Sequence, residues 1–176
     1  MKEDKKENRM DNVIKQATKT IIKLGYHVPQ VVVYGSRNNT MGIMSDFPAE
    51  SDQKRELLMS LGAKMREANI LGDLEEVFLI SEAWMSVCKK GVSPNLAPSE
   101  DPARKEILMI FHQNILEGKT DGKMFDIIRG ENKQIMELKV GGLESEYTSV
   151  ESPLLEAFLT GFRYPQFAKP IKMERG

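Results

Sequence analysis

The sequence predicts an α+β fold, a single domain with a largely antiparallel sheet of about six strands packed with helices. Three observations support this. Three segments have the apolar period of amphipathic helices, several short runs are rich in β-branched residues, and turns containing Gly or Asn join most of those runs. Connections that short join antiparallel neighbours, because a parallel crossover needs a dozen or more residues.

Length and composition set the outer limits. The 176 residues fit one domain that can bury a core without disulfides or metal. We expect a charged, flexible leader over 1–12, the domain over 13–164 and an irregular tail over 165–176. No apolar run is long enough to cross a membrane, and the leader lacks the apolar core of a signal peptide. The lone Cys88 cannot form an internal disulfide, which favours a cytoplasmic protein or one carried inside a virion or host cell.

The first third of the chain predicts a helix followed by a hairpin. Apolar residues recur at helical spacing over 11–24, and Gly25 is placed to end that helix. The β-branched run 31–34 is typical of a strand, and 35–40 has turn composition. Residues 41–47 are then expected to return as the second strand.

The remainder predicts a helix, four strands and a final helix. Ser51 is the expected N-cap of a helix that ends near Asn69, and Ser152 with Pro153 marks the start of the last helix. Residues 118–122 are expected to form a hairpin turn between the second and third strands of the meander. The segments with strand character are 77–84, 107–111, 124–129 and 135–140.

Residues 81–106 form the best candidate for a functional surface. Glu82 and Trp84 alternate onto one face of their strand, so Trp84 is a candidate stacking platform and Glu82 a ligand contact or proton-transfer group. The structural alternative makes Trp84 a lid on the core and Glu82 the partner of Arg104 or Lys105.

The loop over 87–103 follows that strand. Its prolines restrict the backbone, which lowers the entropic cost of holding one shape. Loops of this length in compact domains are functional or disordered, and the prolines favour order. The compact acidic turn 98–102 contains Asp101, and Arg104 follows it, so both join the candidate surface. The alternative is a solvated turn whose acids pair with the adjacent bases.

The same region carries a resemblance. The pattern formed by 81–85, 98–102 and 104–106 resembles a group of small uncharacterised bacterial proteins of about this length. The resemblance covers about the central half of the chain. It implies that the segment is a hallmark of such a group, and it implies no activity and no catalytic residue.

Two histidines are candidates for acid–base chemistry. His112 ends the 107–111 run and is a possible general base if a carboxylate orients it; otherwise it is a polar residue where the strand leaves the core. His27 allows the same two interpretations, and its neighbours Tyr26 and Pro29 suggest a packed corner.

Other chemistry has little support in the sequence. The ammonium groups of Lys89 and Lys90 favour a thiolate at Cys88, although free cysteine usually behaves as a small hydrophobe. We expect no metal and no cofactor, because no phosphate-binding loop, serine-hydrolase elbow or histidine metal motif can be assembled.

Three hypotheses follow. The first is a non-catalytic module that binds a protein partner or self-associates through an exposed sheet surface or edge. The second is a small hydrolase that uses Glu82, Asp101 and His112 around Trp84. The third, nucleic-acid binding, needs the basic residues near the loop to share one face, and the net charge of −1 makes it the weakest.

Overall fold

A computed structural model describes residues 4–86, 91–93, 95–98, 100–140 and 152–169. These residues form three α-helices and a six-stranded antiparallel sheet, which confirms the α+β class and the predicted order of elements. The elements are α1 (Asp4–Leu24), β1 (Gln30–Gly35), β2 (Asn39–Ile43), α2 (Ser51–Glu67), β3 (Leu74–Met85), β4 (Lys105–Asn114), β5 (Lys119–Arg129), β6 (Ile135–Val140), α3 (Pro153–Arg163) and a 3₁₀ turn at Pro165–Phe167.

The strands are ordered β2-β1-β3-β4-β5-β6, so β2 and β6 are the outermost strands of the described sheet. β1 pairs with β2 from Gln30↔Ile43 to Tyr34↔Asn39. β5 pairs with β6 from Phe125↔Val140 to Arg129↔Ile135, with a bulge before Arg129. Most connections are short hairpins, which is why the sheet is antiparallel.

The chain divides into two compact units, and β3, β4 and β5 contribute residues to both. The first unit contains 1–29, 80–110 and 122–147. The second contains 30–79, 111–121 and 148–176. Each unit is described by itself below.

In the first unit, α1 buries three residues of the predicted stripe, Val13, Ala17 and Ile21, and lies against β6; Ile14 of the same stripe is partly buried. The helix begins at Asp4 rather than near residue 11, so it extends through residues assigned to the leader. Gly25, with φ of +79°, follows its last turn, as predicted. Leu24 is half exposed because it lies at that end, outside the buried stripe.

In the second unit, α2 and α3 pack on each other and on a core that includes Val31, Val33 and Phe158. Two glycines allow the helices to approach closely. A Cβ on Gly62 would overlap the Phe158 carbonyl, and a Cβ on Gly161 would overlap the Met59 carbonyl. Glycine is therefore required on both sides of this contact.

Three local predictions differ from the structure. Glu50, not Ser51, is the N-cap of α2, and no side chain caps it. β2 ends at Ile43 instead of reaching residue 47, because its partner β1 begins at Gln30 and offers no further backbone to pair with. The turn between β4 and β5 lies over 115–118, not 118–122. Asn114 Oδ1 accepts from the Glu117 N–H at 3.1 Å, which tightens the turn before β5 starts.

The end of the chain follows the prediction more closely. Ser152 caps α3, its Oγ accepting from the Leu155 N–H at 3.3 Å, and Pro153 occupies the first turn. Beyond the 3₁₀ turn, Lys169 Nζ lies 2.6 Å from Glu56 Oε1, and the Lys169 carbonyl accepts from the Ser60 hydroxyl at 2.7 Å. These contacts fix the start of the tail against α2.

Candidate functional site

Trp84 and Arg104 form an exposed stacked pair in the first unit. β3 carries Trp84 out of the core, and its side chain remains 45% exposed. Arg104 immediately precedes β4, and its Cζ lies 4.3 Å from the centroid of the Trp84 ring. A cation over an indole face at this distance is a favourable contact. The pair presents an aromatic surface that is held in one orientation.

Asp101 shapes the turn that delivers Arg104. The Asp101 side chain accepts from the Ala103 N–H at 2.8 Å, and its carbonyl accepts from the Arg104 N–H at 3.1 Å. The nearby Ser86 hydroxyl and then the Ala103 N–H lower the pKa of the Asp101 carboxyl, since both favour its charged form. Asp101 therefore holds the returning chain, and its contacts within the described residues are structural.

Glu82 lies two residues before Trp84 and is half-buried. Its Oε1 accepts from the His27 backbone N–H at 2.5 Å. Burial raises the pKa of the Glu82 carboxyl, the His27 N–H lowers it, the charge of Glu106 raises it again and the charge of Arg129 opposes that. For Glu82, burial is the largest effect, and the net shift favours its protonated form.

The neighbouring ion pair consists of Glu106 on β4 and Arg129 on β5. Arg129 Nε donates to Glu106 Oε2 at 2.7 Å, and its Nη2 contacts the other carboxylate oxygen. The remaining nitrogen donates to the carbonyls of Gly25 at 3.0 Å and Lys133 at 2.9 Å. Arg129 thereby links the end of α1 to the β5–β6 turn. We call Glu82, His27, Glu106 and Arg129 the Glu82 cluster.

His27 is buried at 3% exposure, and neither ring nitrogen has a hydrogen-bond partner within the described residues. Burial lowers the pKa of this histidine, while the Val28 backbone raises it. The packed corner predicted around His27 therefore holds for His27 itself, although Tyr26 beside it is 54% exposed.

His112 belongs to the second unit, where it does have a carboxylate partner. Its Nε2 lies 3.0 Å from Glu76 Oε2, and its Nδ1 lies 3.8 Å from Asp121 Oδ2. The ring stacks on Phe78 with a centroid separation of 4.4 Å. Both His112 and Glu76 are buried, so the pair supports the strand from within the unit.

The structure brings some of the predicted site residues together and leaves others apart. Arg104 contacts both the Trp84 ring and the Asp101 carbonyl, and Glu82 lies two residues before Trp84 on β3. The structural alternative pairs Glu82 with Arg104 or Lys105; Lys105 Nζ instead lies 2.9 Å from Asp126 Oδ2. Lys105 and Glu106 are adjacent on β4 and so point to opposite faces of the sheet. Glu106 is on the face of Glu82, so Lys105 is on the other face.

Several residues that contact the predicted ones are not evident from the sequence alone. Glu76 lies outside the run 77–84 that was interpreted as a strand, yet the alternation that includes Phe78 extends back to it. Arg129 closes the 124–129 strand, and alternation places it with the buried Phe125 and Ile127. A charged residue in phase with buried neighbours is the signal that points to a buried partner.

Cys88, Lys89 and Lys90 lie outside the described residues. Among those that are described, no group of three or more His, Cys, Asp or Glu side chains is arranged to hold a metal ion. Within the same part of the chain, none of the helices has the length and apolarity needed to span a bilayer.

Comparison with protein-family models, with curated proteins and with solved structures gave no match.

Proposed function

We propose that this protein is a non-catalytic interaction module that binds a protein partner, or a second copy of itself, through exposed parts of its sheet. The stacked pair of Trp84 and Arg104 carries the proposal. Trp and Arg are among the residues most enriched at the energetic centres of protein interfaces. A partner that covers this pair gains a large aromatic contact area at the surface of the first unit.

Preorganisation adds to this support. Ordering a long side chain on binding costs about 0.5–1.5 kcal/mol. Arg104 already rests on the Trp84 ring, and the hydrogen bonds that Asp101 accepts from Ala103 and Arg104 hold the turn that carries it. Part of the entropic cost of binding is therefore met within the free protein.

Several charged groups, in the first unit and in the second, are engaged within the protein. Glu106 binds Arg129, Lys105 binds Asp126 and His112 binds Glu76. Groups held in this way serve structure better than they serve proton transfer to a substrate, which needs a reachable acid or base. The proposal includes no cofactor. It places the protein in the cytoplasm on the strength of its single cysteine.

The test uses the full chain as bait for affinity capture from its source cells. The captured protein is then identified and purified. Trp84→Ala should reduce capture strongly. Tyr164→Ala is the matched control, because Tyr164 is a similarly exposed aromatic, at 51%, in the second unit. Equal capture by both variants would contradict the proposal.

The alternative is a small hydrolase, and the raised pKa of Glu82 beside an exposed Trp favours it. A carboxylic acid that keeps its proton at higher pH is suited to general acid catalysis. Panels of ester, phosphoester and glycoside substrates distinguish the two functions. Turnover that Glu82→Gln abolishes would establish the hydrolase, whereas the interaction proposal predicts no turnover by either protein.

A further inference from the structure

The outermost strand β6 has a sequence that is complementary to itself. Its regular part reads Glu137-Leu138-Lys139-Val140, after the bulge at Met136. Glu137 and Lys139 are on one face, because β5 pairs them with Ile128 and Asp126, while Leu138 and Val140 are on the other. Met136 and Val140 are 63% and 76% exposed. Within one chain, Lys139 Nζ lies 3.7 Å from Glu137 Oε2, and both side chains are more than half exposed, so a second copy can still reach both charges. The strand therefore offers charge, apolar surface and an outer edge together.

We propose that β6 pairs with β6 of a second copy, antiparallel and centred on Leu138, to join two sheets into one. This inference rests on the proposed function and names one partner for it. In this register, Glu137 of each copy lies opposite Lys139 of the other, and Leu138 lies opposite its own equivalent. Opposite charges and apolar pairs directly across an antiparallel ladder both stabilise it.

The charges also select the register. A twofold axis perpendicular to the sheet keeps each side chain on its own face. Moving the centre of the pairing by one residue therefore moves every partner by two. Centring on Glu137 would place two glutamates opposite each other, and centring on Lys139 would place two lysines opposite each other. Like charges directly opposite destabilise a ladder, which leaves the register centred on Leu138 as the favoured one.

The other edge lacks this property. β2 reads Asn-Thr-Met-Gly-Ile and contains no charged residue. Its exposed Met41 and Ile43 provide apolar surface without a pairing that selects a register. Complementarity therefore points to β6 and not to β2.

Charge reversal tests the pairing. In sedimentation equilibrium of the full chain at micromolar to submillimolar concentrations, we expect a dimer of twice the 19.9 kDa chain mass. Glu137→Lys or Lys139→Glu should each weaken the dimer about tenfold or more, since two symmetry-related attractive pairs become repulsive. The double variant restores the opposite-charge pairs and should restore the dimer to about wild-type affinity.

Lys123→Glu is the matched control. It makes the same change in net charge as Lys139→Glu, at an exposed lysine of the interior strand β5, and we expect the dimer to be unchanged. A monomer at every concentration, single variants that dimerise normally, or a double variant that stays monomeric would each overturn the inference. None of these results concerns capture through Trp84, so the proposed function would stand or fall separately.

A measurement on the wild-type chain removes dependence on the folding of the variants. Amide hydrogen exchange over 136–140 should slow as concentration rises, because pairing protects the outer edge of β6. Exchange that is independent of concentration in this strand would overturn the inference.

Discussion

The backbone N–H of His27 donates to Oε1 of Glu82 at 2.5 Å, which ties the segment after α1 to the exposed end of β3. The two residues are 55 positions apart in sequence. Burial acts on both side chains and opposes their charged forms, so the pKa of Glu82 is raised and the pKa of His27 is lowered. The contribution of Glu82 to the free energy of unfolding should therefore fall as pH rises above 4.5, and that of His27 should fall as pH drops below 6.5.

Glu82→Gln tests the loss of stability that Glu82 causes as pH rises. The folded protein holds the Glu82 proton more tightly than the unfolded chain, whose reference pKa is 4.5, so the free energy of unfolding falls as pH rises from there through the folded pKa. Glutamine stays neutral and still accepts from the His27 N–H. Thermal unfolding should show the variant to be more stable than wild type at neutral pH and equal to it below the unfolded pKa. The same difference at both pH values would rule out this titration.

His27→Leu tests the loss of stability that His27 causes as pH falls. The unfolded chain takes up a proton at the reference pKa of 6.5, while the buried folded histidine resists protonation until lower pH. The free energy of unfolding should therefore fall as pH drops below that value. Leucine cannot titrate and leaves the backbone N–H to Glu82 in place. In chemical denaturation series, the variant should lose less stability on acidification; slopes identical to wild type would argue against a buried neutral His27.

Arg129→Ala tests the ion pair in the Glu82 cluster. The change leaves Glu106 partly buried without its cation and frees the carbonyls of Gly25 and Lys133. We expect a loss of about 2 kcal/mol in the free energy of unfolding by urea denaturation. Lys105→Ala removes the Asp126 pair, whose lysine is 49% exposed, and should cost about 0.5 kcal/mol or less. Equal costs would mean that Arg129 acts as an ordinary surface charge.

Gly161→Ala tests the contact between α2 and α3. The added Cβ would meet the Met59 carbonyl, which is backbone and cannot turn aside, so we expect a loss of about 2 to 3 kcal/mol. Gly42→Ala is the comparison, because its Cβ would meet the ends of the Leu61 and Met65 side chains, which can move. Its cost should be about 1 kcal/mol or less. A neutral Gly161→Ala in urea denaturation would contradict the close approach of the helices.

Sequence analysis predicted the parts of this fold that depend on local patterns. The strand predicted over 135–140 matches β6 to the residue, and the Ser152-Pro153 pair marks the start of α3. Both signals come from residues close together in the chain. Ser51 has the composition of a cap but makes no capping bond, so composition alone misplaced that boundary by one residue.

The contacts that define the candidate site have a different origin. Glu82 meets His27, and His112 meets Glu76, across 55 and 36 residues. Such pairs depend on strand order and register, which no local period encodes. The same holds for Gly62 and Gly161, whose need for glycine arises only when two helices meet. Trp84 and Arg104 could be identified as candidates because both flank one loop, but their stacking needed the fold.

Fluorine NMR of Trp84 tests the central claim most directly. The chain has one tryptophan, so incorporation of 5-fluorotryptophan gives a single probe at the proposed binding surface. Titration with the unlabelled captured partner should shift this resonance and reduce its solvent isotope effect as Trp84 becomes buried. Arg104→Ala should weaken the complex about tenfold or more, since that guanidinium holds the ring. A saturated complex in which the Trp84 resonance and its solvent exposure are unchanged would contradict the account.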